Sequence, residues 1–192
     1  MLKIHMMWQE ISYWGKMLAK NGLVTSRFGN ISVRTDNGLI IKRTGVMLED
    51  IRGPEDVIEV GLQPGPDDRY ASVETSSHRA IYLATDAKAI IHAHPNFAIV
   101  ESLLCKDEVK PLDSEGIPFL GTIPIVDGES GSKELYDNLT AVLKDKKTKG
   151  LINRGHGSFA LGPHLMDCYN TTTMIEHSSR IRYYYDLAAR GQ

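Results

Sequence analysis

The stretch Lys88-Ala89-Ile90-Ile91-His92-Ala93-His94-Pro95 constrains this chain more than any other. An apolar, β-branched run leads into two histidines separated by one residue, and Pro95 ends it. That pattern predicts a short buried strand. Side chains i and i+2 leave the same face of a strand, with Cα atoms about 7 Å apart. Two imidazoles so placed can converge on one ion at about 2.0–2.1 Å from each nitrogen, the zinc–imidazole distance. Two hydrogen-bonded histidines in a half-buried strand would look the same, so His-x-His alone leaves metal binding open.

The chain has 192 residues, 42% of them hydrophobic, enough core for one domain spanning residues 1–192. The formal net charge is −2, and the one basic run, Lys144-Asp145-Lys146-Lys147-Thr148-Lys149, reads as a solvated helix end. Neither a nucleic-acid nor a membrane-surface role finds support in such a charge pattern. Cys105 and Cys168 stand in no ligand-like spacing and are expected as free thiols in a reducing compartment. Residues 1–20 lack a signal-peptide pattern, and no apolar run approaches the roughly 20 residues of a membrane span. A cytoplasmic location is expected.

Residues 4–20 read as an amphipathic helix carrying Trp8, Ile11, Trp14 (or Gly15) and Leu18, ended by Asn21-Gly22. Ile31-Ser32-Val33 and the run from Gly38 to Lys42 read as strands paired through Asp36-Asn37-Gly38, and Val57 to Val60 as a third. Ser72 is expected as the N-cap of a helix with Glu74 in its first turn and Ile81 and Tyr82 on its buried side. Another helix is expected over Phe97 to Leu104. Phe119 to Val126 reads as an edge or irregular strand marked by Gly121 and Pro124. Ser130-Gly131-Ser132 opens a helix whose apolar face is Leu135, Tyr136, Leu139, Val142 and Leu143, closed at Gly150. Two short strands flank Gly155-His156-Gly157. A final helix, about 167–189, places Met174, Ile181, Tyr185 and Ala188 on one stripe.

Several side chains could carry chemistry. Gly29-Asn30 is either a plain turn or one tight enough for backbone and the Asn30 amide to reach an anion. Thr44-Gly45 is a second small turn at a strand end, and Ser72 lies at a helix N-terminus, where phosphate binds readily. Glu74 is either a capping carboxylate or a site residue. His78, one turn on, either orients Glu74 or lies on the helix surface. His156, held clear of the backbone by flanking glycines, is a third metal ligand or a histidine in a hairpin loop. Taken together, His92, His94, His156 and Glu74 could serve one ion. Three histidines with one labile position form a catalytic zinc pattern rather than a sealed structural one. No phosphate-loop or dinucleotide fingerprint is present, and no lysine stands in a dedicated position.

With these motifs the chain resembles the class II aldolase/adducin family, nearest to its zinc-dependent L-fuculose-1-phosphate aldolases. The resemblance runs from about Leu23 to Ile181. It rests on Gly29-Asn30-Ile31-Ser32, Thr44-Gly45, Ser72-Val73-Glu74, His92-Ala93-His94-Pro95 and Gly155-His156-Gly157, in order. It implies a three-layer α/β/α domain with a largely antiparallel central sheet, assembled as a homotetramer. It implies Zn2+ held by His92, His94 and His156. Glu74 would ligate the resting metal and then act as acid/base. The implied phosphate cradle is Gly29, Asn30, Thr44, Gly45, Ser72 and Val73, with Val73 where a second serine is usual. The implied reaction cleaves a ketose 1-phosphate to dihydroxyacetone phosphate and a short aldehyde such as lactaldehyde. A pentulose-phosphate 4-epimerase and a methylthioribulose-1-phosphate dehydratase share the scaffold. The epimerases usually carry Asp at the position of Glu74. Non-catalytic adducin-like modules lack the three histidines kept here. The family's loop tyrosine has no match, and Asp113 and Glu115 stand at that loop.

Overall fold

A computed structural model describes residues 2–190, with side chains from Met6 onward. Met1, Gly191 and Gln192, the ends of the expected 1–192 domain, lie outside the described residues. In chain order the elements are α1 (Leu2–Lys20), β1 (Asn30–Arg34), β2 (Leu39–Lys42), β3 (Val57–Val60), α2 (Thr75–Ala84), β4 (Ala89–Ala93), α3 (Asn96–Leu104), β5 (Glu108–Val109), α4 (Gly116–Leu120), β6 (Ile123–Val126), α5 (Lys133–Asp145), β7 (Gly150–Asn153), β8 (Gly157–Gly162) and α6 (Leu165–Ala189). The strands form one sheet in the order β3-β2-β1-β4-β8-β7-β6-β5. Every neighbouring pair is antiparallel except β6 and β7. Those two run parallel because the chain returns through α5, the crossover that a parallel pair requires.

Strand β4 is the centre, buried along its whole length, as its apolar run predicts. Its alternation sorts the core into layers. Ile90 packs with Leu39, Ile41, Phe159 and Leu161 beneath α2 and α5. Ala89, Ile91 and Ala93 pack with Ile31, Ile40 and Ala160 beneath α1 and α6. A smaller cluster of Val109, Ile123, Ile125 and Ile152 is closed by Ala98 of α3 and Ile175 of α6. The result is the expected α/β/α layering around a mainly antiparallel sheet.

Four local expectations change. Helix α2 begins at Thr75, with Glu74 in the cap position, so Ser72 is not its N-cap. The Ser72 amide donates to Lys42 O and its carbonyl accepts from Thr75, which ties Ser72 to the strand end instead. Residues Gly116–Leu120 are helical, and β6 is flanked on both sides rather than lying at the edge. Pro124 is tolerated because β6 meets β7 only at Ile125 and Val126, so its missing N–H costs no bond to β7. Helix α5 ends at Asp145, and Gly150 instead opens β7 opposite Ala160. Helix α6 buries Cys168, Thr171, Thr172, Ile175, Ser178 and Ser179, and not the stripe through Met174, Ile181, Tyr185 and Ala188. Small polar side chains let α6 lie close on β4 and β8, and Thr172 returns its hydroxyl to Cys168 O at 2.9 Å. Both cysteines are free thiols. Among the described residues no helix is long and apolar enough to cross a membrane.

Candidate metal centre

His92 leaves the α2 face of β4, opposite Asn30 of β1 and Phe159 of β8. Phe159 stacks on its ring at 4.3 Å between centroids. His94 follows where β4 ends. Its amide donates to Leu23 O at 2.8 Å, and Phe28 stacks on its ring at 5.5 Å. His156 sits in the turn between β7 and β8, its ring nearly parallel to that of His92 at 5.0 Å. Gly157 makes this approach possible, because a Cβ there would lie 2.3 Å from Ala93 O and 3.1 Å from His92 Cε1.

The three rings converge through one kind of atom. Nε2 of His92 lies 3.1 Å from Nε2 of His94 and 3.1 Å from Nε2 of His156. Ligand atoms about 2.0–2.1 Å from a tetrahedral ion are about 3.3 Å apart, so this spacing fits a zinc-sized cation. The other nitrogen of His92, Nδ1, bonds Ser158 O at 3.0 Å. A carbonyl accepts only, so Nδ1 carries the proton and Nε2 offers its lone pair to the cavity. Burial lowers the pKa of His92 well below the usual imidazole value and brings His94 to about 4, where repulsion from His156 adds to it. Both rings are therefore neutral, the form that binds metal.

Glu74 Oε1 lies 3.5 Å from His156 Nε2 and accepts from the Ser130 hydroxyl. Its Oε2 is buried without a hydrogen-bond partner among the described residues. Burial pushes the carboxyl pKa up. The His156 and His92 rings close to it outweigh that burial, and the group is held at about 2. His78 does not lie on the helix surface. It is fully buried, and its Nδ1 meets Ser32 Oγ at 2.6 Å. Burial lowers its pKa to about 4 against the opposing pull of Glu74.

These residues line a cavity of about 380 Å3. Every predicted site residue belongs to it: Gly29, Asn30, Thr44, Gly45, Ser72, Val73, Glu74, His92, His94 and His156. Gly29 adopts φ +74°, where a Cβ would lie 2.6 Å from Val24 Cγ1, so the turn requires glycine. The amides of Thr44 and Ser72 are spent on Tyr70 O and Lys42 O, which leaves their hydroxyls for a ligand, that of Ser72 also accepting from the Glu74 amide at 3.4 Å. Asp113 and Glu115 do not line it. Asp113 accepts from the Gly116 amide at 2.6 Å, and Glu115 borders a different cavity, along α6.

Four lining residues were not anticipated: Arg27, Phe28, Lys42 and Ser130. Lys42 corrects the expectation that no lysine stands in a dedicated place. It is buried, its Nζ donates to Arg27 O at 3.1 Å and Val46 O at 2.8 Å, and burial lowers its pKa to about 8. A lysine ending a wholly buried strand was the one available signal.

This sheet, with three imidazoles and a carboxylate gathered at one end of its central strand, is that of a class of metal-dependent lyases. The chain belongs to the class II aldolase and adducin N-terminal domain family, whose model matches residues 9–183. It is an enzyme. It is similar to an L-fuculose phosphate aldolase of Methanocaldococcus jannaschii, at 29% identity over 80% of this chain and 82% of that one. It is also similar to a probable methylthioribulose-1-phosphate dehydratase of Dictyostelium discoideum, at 28% identity over 84% and 78%. The crystal structure of L-fuculose-1-phosphate aldolase from Thermus thermophilus superposes with a TM-score of 0.88 at 32% identity, covering 100% of this chain and 98% of that one.

Proposed function

We propose that this chain is a zinc-dependent aldolase that reversibly cleaves a ketose 1-phosphate into dihydroxyacetone phosphate and a short aldehyde. One observation carries the reading: the Nε2 atoms of three imidazoles meet beside a buried carboxylate in a cavity that also holds buried Lys42. His92, His94 and His156 would hold the ion, with Glu74 as a labile fourth ligand. A bound zinc supplies electrostatic stabilisation for the negative charge that builds on the dihydroxyacetone phosphate half. Glu74 moves the proton. In the condensation direction its carboxylate takes one from the carbon beside the substrate carbonyl, and in cleavage it returns it there. Thr44 and Ser72 offer hydroxyls, and Arg27 and Lys42 positive charge, to the phosphate. Gly29, Asn30, Gly45 and Val73 shape its seat. The working unit in this reading is one domain per chain, assembled as a homotetramer in the cytoplasm.

A second reading keeps the scaffold and changes the reaction. The similarity to the Dictyostelium dehydratase favours a methylthioribulose-1-phosphate dehydratase. The zinc-loaded protein should be given dihydroxyacetone phosphate with a panel of short aldehydes and, separately, methylthioribulose 1-phosphate and a pentulose 5-phosphate. Ketose phosphate formed from any aldehyde supports the aldolase. Turnover only of the methylthioribulose or pentulose phosphate replaces it with the dehydratase or an epimerase.

A further inference from the structure

A buried polar chain lies behind Glu74 and plays no part in the reading above. Tyr82 OH lies 2.8 Å from Ser32 Oγ, and Ser32 Oγ lies 2.6 Å from His78 Nδ1. All three residues are at most 1% exposed. Burying three polar side chains is unfavourable unless each proton finds an acceptor. Ser32 Oγ is the one hydrogen-bond partner of the Tyr82 hydroxyl among the described residues. If His78 Nδ1–H donated to Ser32, and Ser32 to Tyr82, the phenolic proton would be stranded. With the opposite sense, Tyr82 donates to Ser32 and Ser32 donates to Nδ1. Both hydroxyl protons are then placed, and the ring proton must sit on Nε2.

Among the described residues His78 Nε2 is itself buried without a partner, and so is Glu74 Oε2. The two residues are one turn apart at the start of α2, joined by the His78 amide donating to Glu74 O at 3.1 Å. The negative charge of Glu74 acts on the His78 ring. Among the described residues the Ser76 and Ser77 hydroxyls on this turn are also buried without partners, and Ser77 bears on Glu74 as well; His78 Nε2 is the one donor here that the buried Tyr82–Ser32 chain would hold in place.

We propose that Tyr82, Ser32 and His78 form a positioning relay for Glu74: the two hydroxyls fix the His78 tautomer, and Nε2–H receives Oε2 when the carboxylate leaves the ion. The relay rests on the reading of Glu74 as a labile ligand and proton carrier. It gives that carboxylate a second, fixed station. Without one, a carboxylate released into a buried site would have no defined place from which to move a proton. His78 is a positioning residue and touches no substrate.

Two measurements test this. The first needs neither metal nor turnover. In the zinc-free protein, the 15N shifts of the His78 ring report its tautomer, and the Nε2–H resonance reports its acceptor. We expect Nε2–H in the wild type, a shift toward Nδ1–H in Tyr82→Phe, and a displaced Nε2–H resonance in Glu74→Gln. An Nδ1–H tautomer in the wild type, or a resonance indifferent to Glu74→Gln, overturns the relay. The second compares His78→Gln, whose amide can replace the Nε2 donor, with His78→Asn, whose shorter amide cannot. With zinc content equal and the proteins folded, kcat should fall about tenfold in the asparagine variant at unchanged KM, and glutamine should recover most of it. Equal activity in both overturns the relay. A wild type that makes no ketose phosphate but keeps the ring signature rejects the aldolase and leaves the contact standing.

Discussion

The Nδ1 atom of His92 lies 3.0 Å from the carbonyl oxygen of Ser158, across the β4–β8 ladder, where these residues are held by strand pairing. The tautomer of the central imidazole is therefore set by backbone geometry. Its lone pair faces His94 and His156 before any ion arrives. Such a site is preformed, and a bound ion adds stability that grows with the logarithm of its concentration over its dissociation constant.

A chelator should reveal that linkage. Treatment with a strong chelator is expected to abolish turnover and to lower the thermal midpoint, and stoichiometric zinc to restore both. At a free ion concentration 1,000 times the dissociation constant, the expected stabilisation is about 4 kcal/mol. Differential scanning calorimetry with and without zinc measures it. Identical melting curves would mean that the three imidazoles hold no ion.

Gly157 tests the geometry from the backbone side. An added methyl would meet Ala93 O at 2.3 Å and the rings of His92 and His94 at 3.1 and 3.2 Å. Ala93 O belongs to a central strand and cannot give way. Gly157→Ala should cost about 1–3 kcal/mol of stability by overpacking. It should also reduce zinc per chain, because the same methyl pushes two ligand rings apart. Urea unfolding and metal analysis of the dialysed protein check the two effects, and full zinc occupancy would contradict the placement of the rings.

Local signals made part of this molecule readable in advance. The apolar run from Ala89 to Ile91 before Pro95, the Asn37-Gly38 turn and the spacing of Ile11 and Leu18 are properties of a few neighbouring residues, and β4, the β1–β2 hairpin and α1 follow from them. So did the gathering of His92, His94 and His156, which rested on family resemblance as much as on spacing. What failed depended on distant partners. Ser72 looks like a cap until Lys42 O claims its amide. The buried side of α6 is one of small hydroxyls and a thiol, which no hydrophobic periodicity marks. Lys42 and Ser130 enter the cavity only because a strand end and a loop before α5 are brought together by the fold.

Lys42 should give the protein a distinctive alkaline behaviour. Burial lowers its pKa from the usual 10.5 to about 8. Between those values the unfolded chain still holds a proton that the folded chain has released, so stability rises with pH across the window. The gain is up to about 3 kcal/mol. Below pH 8 both states carry the proton, and the cost of burying the charge is felt in full. Urea unfolding at several pH values should show the wild type gaining stability relative to Lys42→Met across this window. If Lys42 also faces the phosphate, KM for dihydroxyacetone phosphate should rise above pH 8 in the wild type and be high and flat in the variant.

Glu74→Gln separates holding the ion from moving the proton. The amide keeps the shape of the side chain and can still face the cavity, but it cannot carry a proton between carbon and solvent. The three histidines remain, so zinc per chain should be unchanged. Turnover should fall roughly 10²–10⁴-fold, the usual contribution of a positioned acid/base. The loss should appear in kcat rather than KM, because the phosphate seat proposed at Thr44, Ser72 and Lys42 does not involve the carboxylate. Isotope exchange between solvent and dihydroxyacetone phosphate, measured without any aldehyde, isolates the proton step. It should vanish with the same substitution. Exchange that persists at the wild-type rate would move the base to another residue and leave Glu74 only as a ligand.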